Sequence, residues 1–250
     1  MIVEIFGPPA AGKTTLSRAL AERLRENGCG VDLALSYRPS EMKAGDGASG
    51  SGPLRIAGVA RRLGRPAFET LAVARQWLGD APEVMLARRL LALMPPSSLL
   101  WSARLKQYIW RLTHAWNRAA STGQLVIFDQ GFVQAVCSLG LLTAPKYVGR
   151  LSEALSIVPR ADFLIRLDAP RELLRERLLK REQQQGFLER LLEFDLDTNL
   201  RSIDILGRLE QTLVERGASI SIVRSGEDGA RDAVLAALER AAGGRPAGGP

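Results

Sequence analysis

The sequence predicts an α/β fold built on a five-stranded parallel sheet with helices on both faces. Three observations carry this. Five short apolar runs alternate with helical stretches, the pattern of strands buried on both faces and joined by helical crossovers. The first run, residues 2–6, leads straight into Gly7-Pro8-Pro9-Ala10-Ala11-Gly12-Lys13-Thr14, a G-x-x-x-x-G-K-T loop that opens a helix. Gly7, Ser36, Asp129 and Asp168 stand at the carboxyl ends of such runs, where ligands of these sheets gather.

Taken in order, residues 2–6 form the first strand. Residues 13–26 form a helix that stops at Asn27-Gly28. Residues 31–36 read as the second strand. Residues 38–53, rich in Gly, Ser, Asp and Pro, read as a loop. Residues 54–122 are helical in character, with breaks at Gly64-Arg65-Pro66, Asp80-Ala81-Pro82 and Pro95-Pro96-Ser97-Ser98, and form an insertion between the second and third strands. Residues 125–129 are a short apolar run ending in an acid, the third strand. Helices follow over 132–142 and 146–157, and the fourth strand over 162–168. A basic helix over 170–181 leads into Gln183-Gln184-Gln185-Gly186. A helix over 187–216, a fifth strand over 219–223 and a last helix over 230–241 complete the pattern. Residues 243–250 are a disordered tail by composition. Right-handed crossovers leave few topologies open. The expected architecture is three-layered with strand order 2-3-1-4-5. Residues 1–242 are read as one domain, with 53–123 a helical subdomain and 170–187 a lid.

Bulk properties narrow the class. The 250 residues suit one large α/β domain, and 24% charged with 46% hydrophobic residues is ordinary for a globular protein. Cys29 and Cys137 are the only cysteines and lack C-x-x-C spacing, so neither a metal site nor a disulfide framework is expected. The chain opens directly on a strand, so no signal peptide is expected, and no run of 18 uncharged apolar residues could span a membrane. A reducing cytoplasm is the expected compartment. The net charge of +7 is uneven. Residues 53–123 hold 11 of the 34 basic residues, 3 of the 27 acidic ones and all four tryptophans. This segment is either a substrate-facing subdomain or a surface for an anionic partner, nucleic acid or membrane.

The loop over residues 7–14 carries the chemistry. Its glycines let the backbone turn its N–H groups inward onto phosphate oxygens, and the following helix adds its positive dipole end. Residues 7–15, Thr15 included, are the expected ATP-binding segment. Lys13 reaches the β- and γ-phosphates, and the Thr14 hydroxyl is a Mg²⁺ ligand. Asp129, ending an apolar strand, occupies the place of a carboxylate that helps hold Mg²⁺; the alternative is a turn aspartate in Asp129-Gln130-Gly131. Arg177 and Arg181 are spaced i, i+4 on the basic helix, and two guanidiniums on one face suit a lid over a triphosphate. The alternative is a solvated face paired with Glu172, Glu176 and Glu182. After the second strand, Arg38 can bind an anionic acceptor and Glu41 can act as base toward a hydroxyl acceptor; both can equally be loop charges. Over 99–120, Arg104, Lys106, Arg111 and Arg118 interleave with Trp101, Tyr108, Trp110 and Trp116. This is an acceptor site, a nucleic-acid face or a membrane-surface helix, or else aromatics packed inward with solvated bases. His114, the only histidine, is given no catalytic part.

With these features together, the chain resembles the nucleoside and nucleotide kinase group of P-loop proteins and is distantly similar to thymidylate kinase. Residues 7–14 match the phosphate loop. Tyr37-Arg38-Pro39-Ser40-Glu41 resembles the loop that carries an Arg-Glu-Pro motif in that family, and Asp129-Gln130-Gly131 stands where it has Asp-Arg-Tyr. Arg177 and Arg181 resemble the paired lid arginines, and residues 225–228 the loop that touches adenine. Arg104 or Lys106 stands near an acceptor-binding arginine. The resemblance implies ATP and Mg²⁺ as cofactors, a small-molecule phosphoryl acceptor bound by Arg38, Glu41, Arg104, Lys106 and Gln130, and catalysis by Lys13, Asp129, Arg177 and Arg181. A homodimer is left open. Other P-loop classes fit less well: N-K-x-D and L-S-G-G-Q are absent, and Asp129 is followed by Gln rather than the water-activating Glu of AAA or RecA-type motors. The expected activity is a small-molecule kinase acting on a nucleotide-like acceptor. The alternatives are a kinase for a hydroxyl acceptor (nucleoside, sugar or antibiotic) and an ATP-binding regulatory protein with little turnover.

Overall fold

The computed structural model describes residues 1–36, 82–184, 194–225 and 228–243. Five strands, β1 (Ile2–Phe6), β2 (Val31–Ala34), β3 (Leu125–Phe128), β4 (Phe163–Asp168) and β5 (Ile220–Arg224), form one sheet in the order β2-β3-β1-β4-β5. Every pairing is parallel. The expected strand order therefore holds. The register places Glu4 beside Phe128 on one side and Leu164 on the other, so β1 is the central strand.

The helices are α1 (Lys13–Glu26), α2 (Pro82–Leu93), α3 (Leu99–Thr122), α4 (Phe132–Leu142), α5 (Leu151–Ile157), α6 (Arg171–Gln184), α7 (Leu196–Glu215) and α8 (Asp228–Gly243). Helices α2 and α3 supply the insertion expected between β2 and β3; the part of it over 54–81 lies outside the described residues. The helix expected over 146–157 starts instead as a 3₁₀ segment, Pro145–Arg150, and becomes α-helical only at Leu151. Pro145 at the first position sets φ but gives no N–H, and Gly149 weakens helical propagation at the junction.

Side-chain alternation along the strands divides the interior in two. Val3, Ile5, Leu125, Ile127, Ile165, Leu167 and Val223 pack with Leu16, Leu20 and Leu24 of α1, Leu174 and Leu178 of α6 and Leu238 of α8. Ile2, Phe6, Val126, Phe128 and Leu164 pack on the opposite face with residues of α2 through α5 and α7. The result is three layers. Glu4 shares the parity of Ile2 and Phe6, so its carboxylate points into the second of these apolar layers.

Trp116 is 4% exposed and packs on Phe128 and Phe132, with ring centroids 4.8 and 5.0 Å away. This end of α3 is core, as the inward-packing reading has it. Among the described residues, no helix is long and apolar enough to cross a membrane. Both cysteines are free thiols.

Candidate active site

The carboxyl ends of β1 and β3 build the site. The chain leaves β1 at Gly7, whose φ is +155°. A Cβ there would overlap the Leu167 carbonyl oxygen on neighbouring β4, so only glycine allows the loop to pass this close to the sheet. The loop returns through Gly12 (φ +99°) into α1. Lys13 is buried, and its ammonium donates to the carbonyls of Gly7 at 2.7 Å and Pro8 at 2.9 Å. The cation thus bridges the mouth of the loop it belongs to.

Asp129 follows β3 and is fully buried. Its carboxylate accepts from the Thr14 hydroxyl at 2.7 Å, from the Ser36 N–H at 2.6 Å and from the Ser36 hydroxyl at 3.2 Å. The ends of β1, β2 and β3 are therefore tied at one carboxylate. Thr14 and Asp129 offer oxygen donors side by side at the end of the phosphate loop. Hard divalent cations take such donors, so this pair fits Mg²⁺.

The basic helix α6 sorts its charges by face. Arg171, Arg175 and Lys180 are exposed, whereas Arg177 and Arg181 are half-buried among them. Leu174 and Leu178 anchor the helix in the core. Arg177 donates to the carbonyls of Ala10 at 3.2 Å and Ala11 at 3.5 Å, and to the Ser225 hydroxyl at 3.3 Å. It links the phosphate loop to the residue that follows β5. Behind the loop, a cleft of about 300 Å³ is lined by Gly12, Thr15, Arg177, Val223, Arg224 and Ser225 among others. Arg181 lies one helical turn further along α6.

On the other side of Asp129 lies a larger pocket of about 480 Å³. Ser36, Phe128 and Gln130 form its inner end, and Trp101, Arg104, Gln107, Tyr108 and Arg111 of α3 form one wall. Trp101 stacks on Phe194 with centroids 4.7 Å apart, and the Arg104 guanidinium lies 4.7 Å over the Trp101 ring. Arg104 and Gln130, expected at the acceptor, line this pocket. Lys106, expected with them, is on the same helix but does not line it. Arg38 and Glu41 lie outside the described residues. His114 is exposed on the far part of α3, stacked loosely with Trp110.

Two participants were not singled out from sequence. Gln134, on α4, accepts from the Gly7 N–H at 3.4 Å. Glu4 is 1% exposed, and its Oε1 accepts from the Val133 N–H at 2.7 Å. Burial drives the Glu4 carboxyl up to about 7, although the N–H groups of Gly131, Phe132, Val133 and Gln134 favour its charge. A lone acid inside the run I-V-E-I-F was the available signal. Beside it, burial and the charges of Glu4 and Asp129 raise the Tyr108 hydroxyl well above its ordinary value. Burial likewise pushes the Cys137 thiol up to about 12, so it is an inert packing group.

No curated protein matches the chain in sequence. Among solved structures, a deoxyadenosine kinase from M. mycoides with bound dCTP is similar at 15% identity and a TM-score of 0.50, covering 96% of this chain and 99% of that one. The same enzyme with bound dATP gives a TM-score of 0.49 at 15% identity, over 96% and 100% of the two chains. The first likeness is one of fold, and it agrees with the kinase-like P-loop architecture built above. A family model described as AAA domain matches residues 2–204, from β1 through the phosphate loop and Asp129 into α7. Gln130 still stands where the motors of that name carry their second acid. The match spans most of the sheet and both halves of the site, and on it the chain belongs to the AAA_33 family of AAA domains.

Proposed function

We propose that the protein is an ATP- and Mg²⁺-dependent small-molecule kinase that transfers the γ-phosphoryl group to a nucleotide-like acceptor. One observation carries this reading: the buried carboxylate of Asp129 bonds both Thr14, at the end of the phosphate loop, and Ser36, which lines the aromatic pocket together with the neighbouring Gln130. A phosphate donor and a ring-bearing acceptor bound in these two places would face each other.

In this reading the triphosphate lies in the loop over residues 7–15. The Lys13 ammonium exchanges its loop carbonyls for β- and γ-phosphate oxygens. Arg177 and Arg181 act from α6, which serves as the lid. Held by Thr14 and Asp129, Mg²⁺ supplies charge neutralisation to the phosphates. An acceptor oxygen attacks the γ-phosphorus, the bond to the β–γ bridging oxygen breaks, and ADP leaves. Positioning and charge stabilisation account for most of the rate.

The lining of the acceptor pocket favours an anionic acceptor. Among the described residues it contains Arg104 and Arg111 and no carboxylate. A monophosphate oxygen is already ionised and needs no general base, whereas a hydroxyl does. The second reading is a hydroxyl acceptor such as a nucleoside. It is favoured by the structural relative, which is named a deoxyadenosine kinase. It requires a base, and Glu41 is the candidate.

The test is an ADP-release screen of the full chain with ATP and Mg²⁺ against nucleoside monophosphates, nucleosides, sugars and aminoglycosides. Turnover with a monophosphate supports the first reading, and turnover only with a neutral hydroxyl compound the second. ATP binding without turnover on any acceptor refutes both and favours a regulatory protein.

A further inference from the structure

Glu4 has no part in the transfer described above, yet it is a carboxylate in the middle of the central strand. It lies between Val3 and Ile5, neither of which has any exposure. An apolar side chain would satisfy this position at no electrostatic cost, whereas a buried acid needs specific partners. Glu4 has them. Its Oε1 accepts from the Val133 N–H at 2.7 Å, and the N–H groups of Gly131, Phe132 and Gln134 also act on it. The contact is tight as well as polar: a Cβ on Gly131 would stand 2.7 Å from Glu4 Cγ.

This grip reaches both half-sites. Backward along the chain, Gly131 follows Gln130, which lines the acceptor pocket. Its carbonyl accepts from the hydroxyl of Tyr108, another lining residue, at 3.5 Å. Forward along the chain, Gln134 accepts from the N–H of Gly7 in the phosphate loop. We propose that Glu4 is a positioning residue that sets the acceptor wall, Gln130 and Tyr108, at a fixed spacing from the phosphate loop. The proposal rests on the reading of these two half-sites as donor and acceptor sites.

The test uses Glu4→Leu, which removes every acceptor atom, and Glu4→Gln, which keeps the shape and one carbonyl. Two readouts are taken on the full chain: hydrogen exchange resolved at residues 131–134, and kinetics with ATP and the acceptor found by the screen. In Glu4→Leu, exchange over 131–134 should rise about tenfold or more, while the start of α1 stays as in the parent protein. kcat/KM for the acceptor should fall about tenfold or more, with ATP affinity within about twofold of the parent. Glu4→Gln should recover part of both. Parent-like acceptor kinetics and exchange in both variants overturn the proposal. So does a parallel loss of ATP binding, acceptor turnover and thermal stability. If Glu4→Leu does not fold, Glu4→Gln carries the same comparison. If the parent protein phosphorylates no acceptor, the functional reading fails separately. Exchange then decides: local loosening at 131–134 sustains the positioning by Glu4, and no change or global loosening refutes it.

Discussion

Replacing Glu4 by Gln should flatten a pH dependence of stability that the parent protein carries. The Glu4 carboxyl is fully buried and its value stands at about 7, against 4.5 for an ordinary glutamate. The folded state therefore holds the proton more tightly than the unfolded chain does. The stability this provides is fully present below pH 4.5 and is lost as pH rises through about 7. At 1.36 kcal/mol per pH unit, the interval amounts to about 3 kcal/mol. That is a large share of the roughly 5–15 kcal/mol that keeps a typical domain folded. Gln cannot ionise, so it carries none of this slope. Urea unfolding of both proteins at pH 5, 6, 7 and 8 reads the effect directly, because the other titrating groups are common to both. Between pH 5 and pH 8 the difference in unfolding free energy should move by about 2–3 kcal/mol in favour of the variant. Parallel curves would refute the account, since they would mean that Glu4 ionises with equal ease in the folded and unfolded protein.

Three further outcomes are expected. Lys13→Ala should abolish phosphoryl transfer while far-UV circular dichroism stays near the parent spectrum, because the ammonium donates to carbonyls of its own loop, Gly7 and Pro8. Gly7→Ala should lower Tm and weaken ATP binding together. The added methyl meets the backbone of Leu167, which cannot step aside, at a cost of about 1–3 kcal/mol readable by denaturant unfolding. Trp101→Ala removes a pocket wall, the stack on Phe194 and the seat of Arg104. It should raise the acceptor KM about tenfold with ATP affinity unchanged, as steady-state titration of each substrate will show.

Much of the fold is legible in the chain because the strands are short apolar runs bounded by turn residues, and because Gly7 and Asn27-Gly28 punctuate them. The phosphate loop is legible because its backbone chemistry imposes residue types at fixed spacing. On α6 the spacing alone does not separate the basic residues, since Arg171 and Arg175 are i, i+4 just as Arg177 and Arg181 are; it is burial that differs, the latter pair being half-buried and the former exposed. The aromatic segment is harder. Trp101 and Trp116 sit in one helix with similar surroundings in sequence, yet one lines a pocket and the other packs on Phe128. The difference lies in what each end of α3 meets: open space beside Phe194 or the face of the sheet. Glu4 was absorbed into an apolar strand because its partners begin 127 residues later, at Gly131, and long-range proximity leaves no local pattern. Gln134 escaped notice for the same reason.

The hydrogen bond between Thr14 and Asp129 bears on the protein at rest. With that bond made, and with Ser36 donating twice, the buried Asp129 carboxylate accepts three hydrogen bonds from its own chain. A divalent ion must then compete against a contact the protein already makes with itself. If the site takes Mg²⁺ as proposed, metal affinity measured on the protein alone should fall below that measured with nucleotide, whose phosphates would add donors of their own. By thermodynamic reciprocity, the metal would tighten nucleotide binding by the same factor. Under the proposed reading, metal and nucleotide would thus depend on each other through one internal bond of the protein.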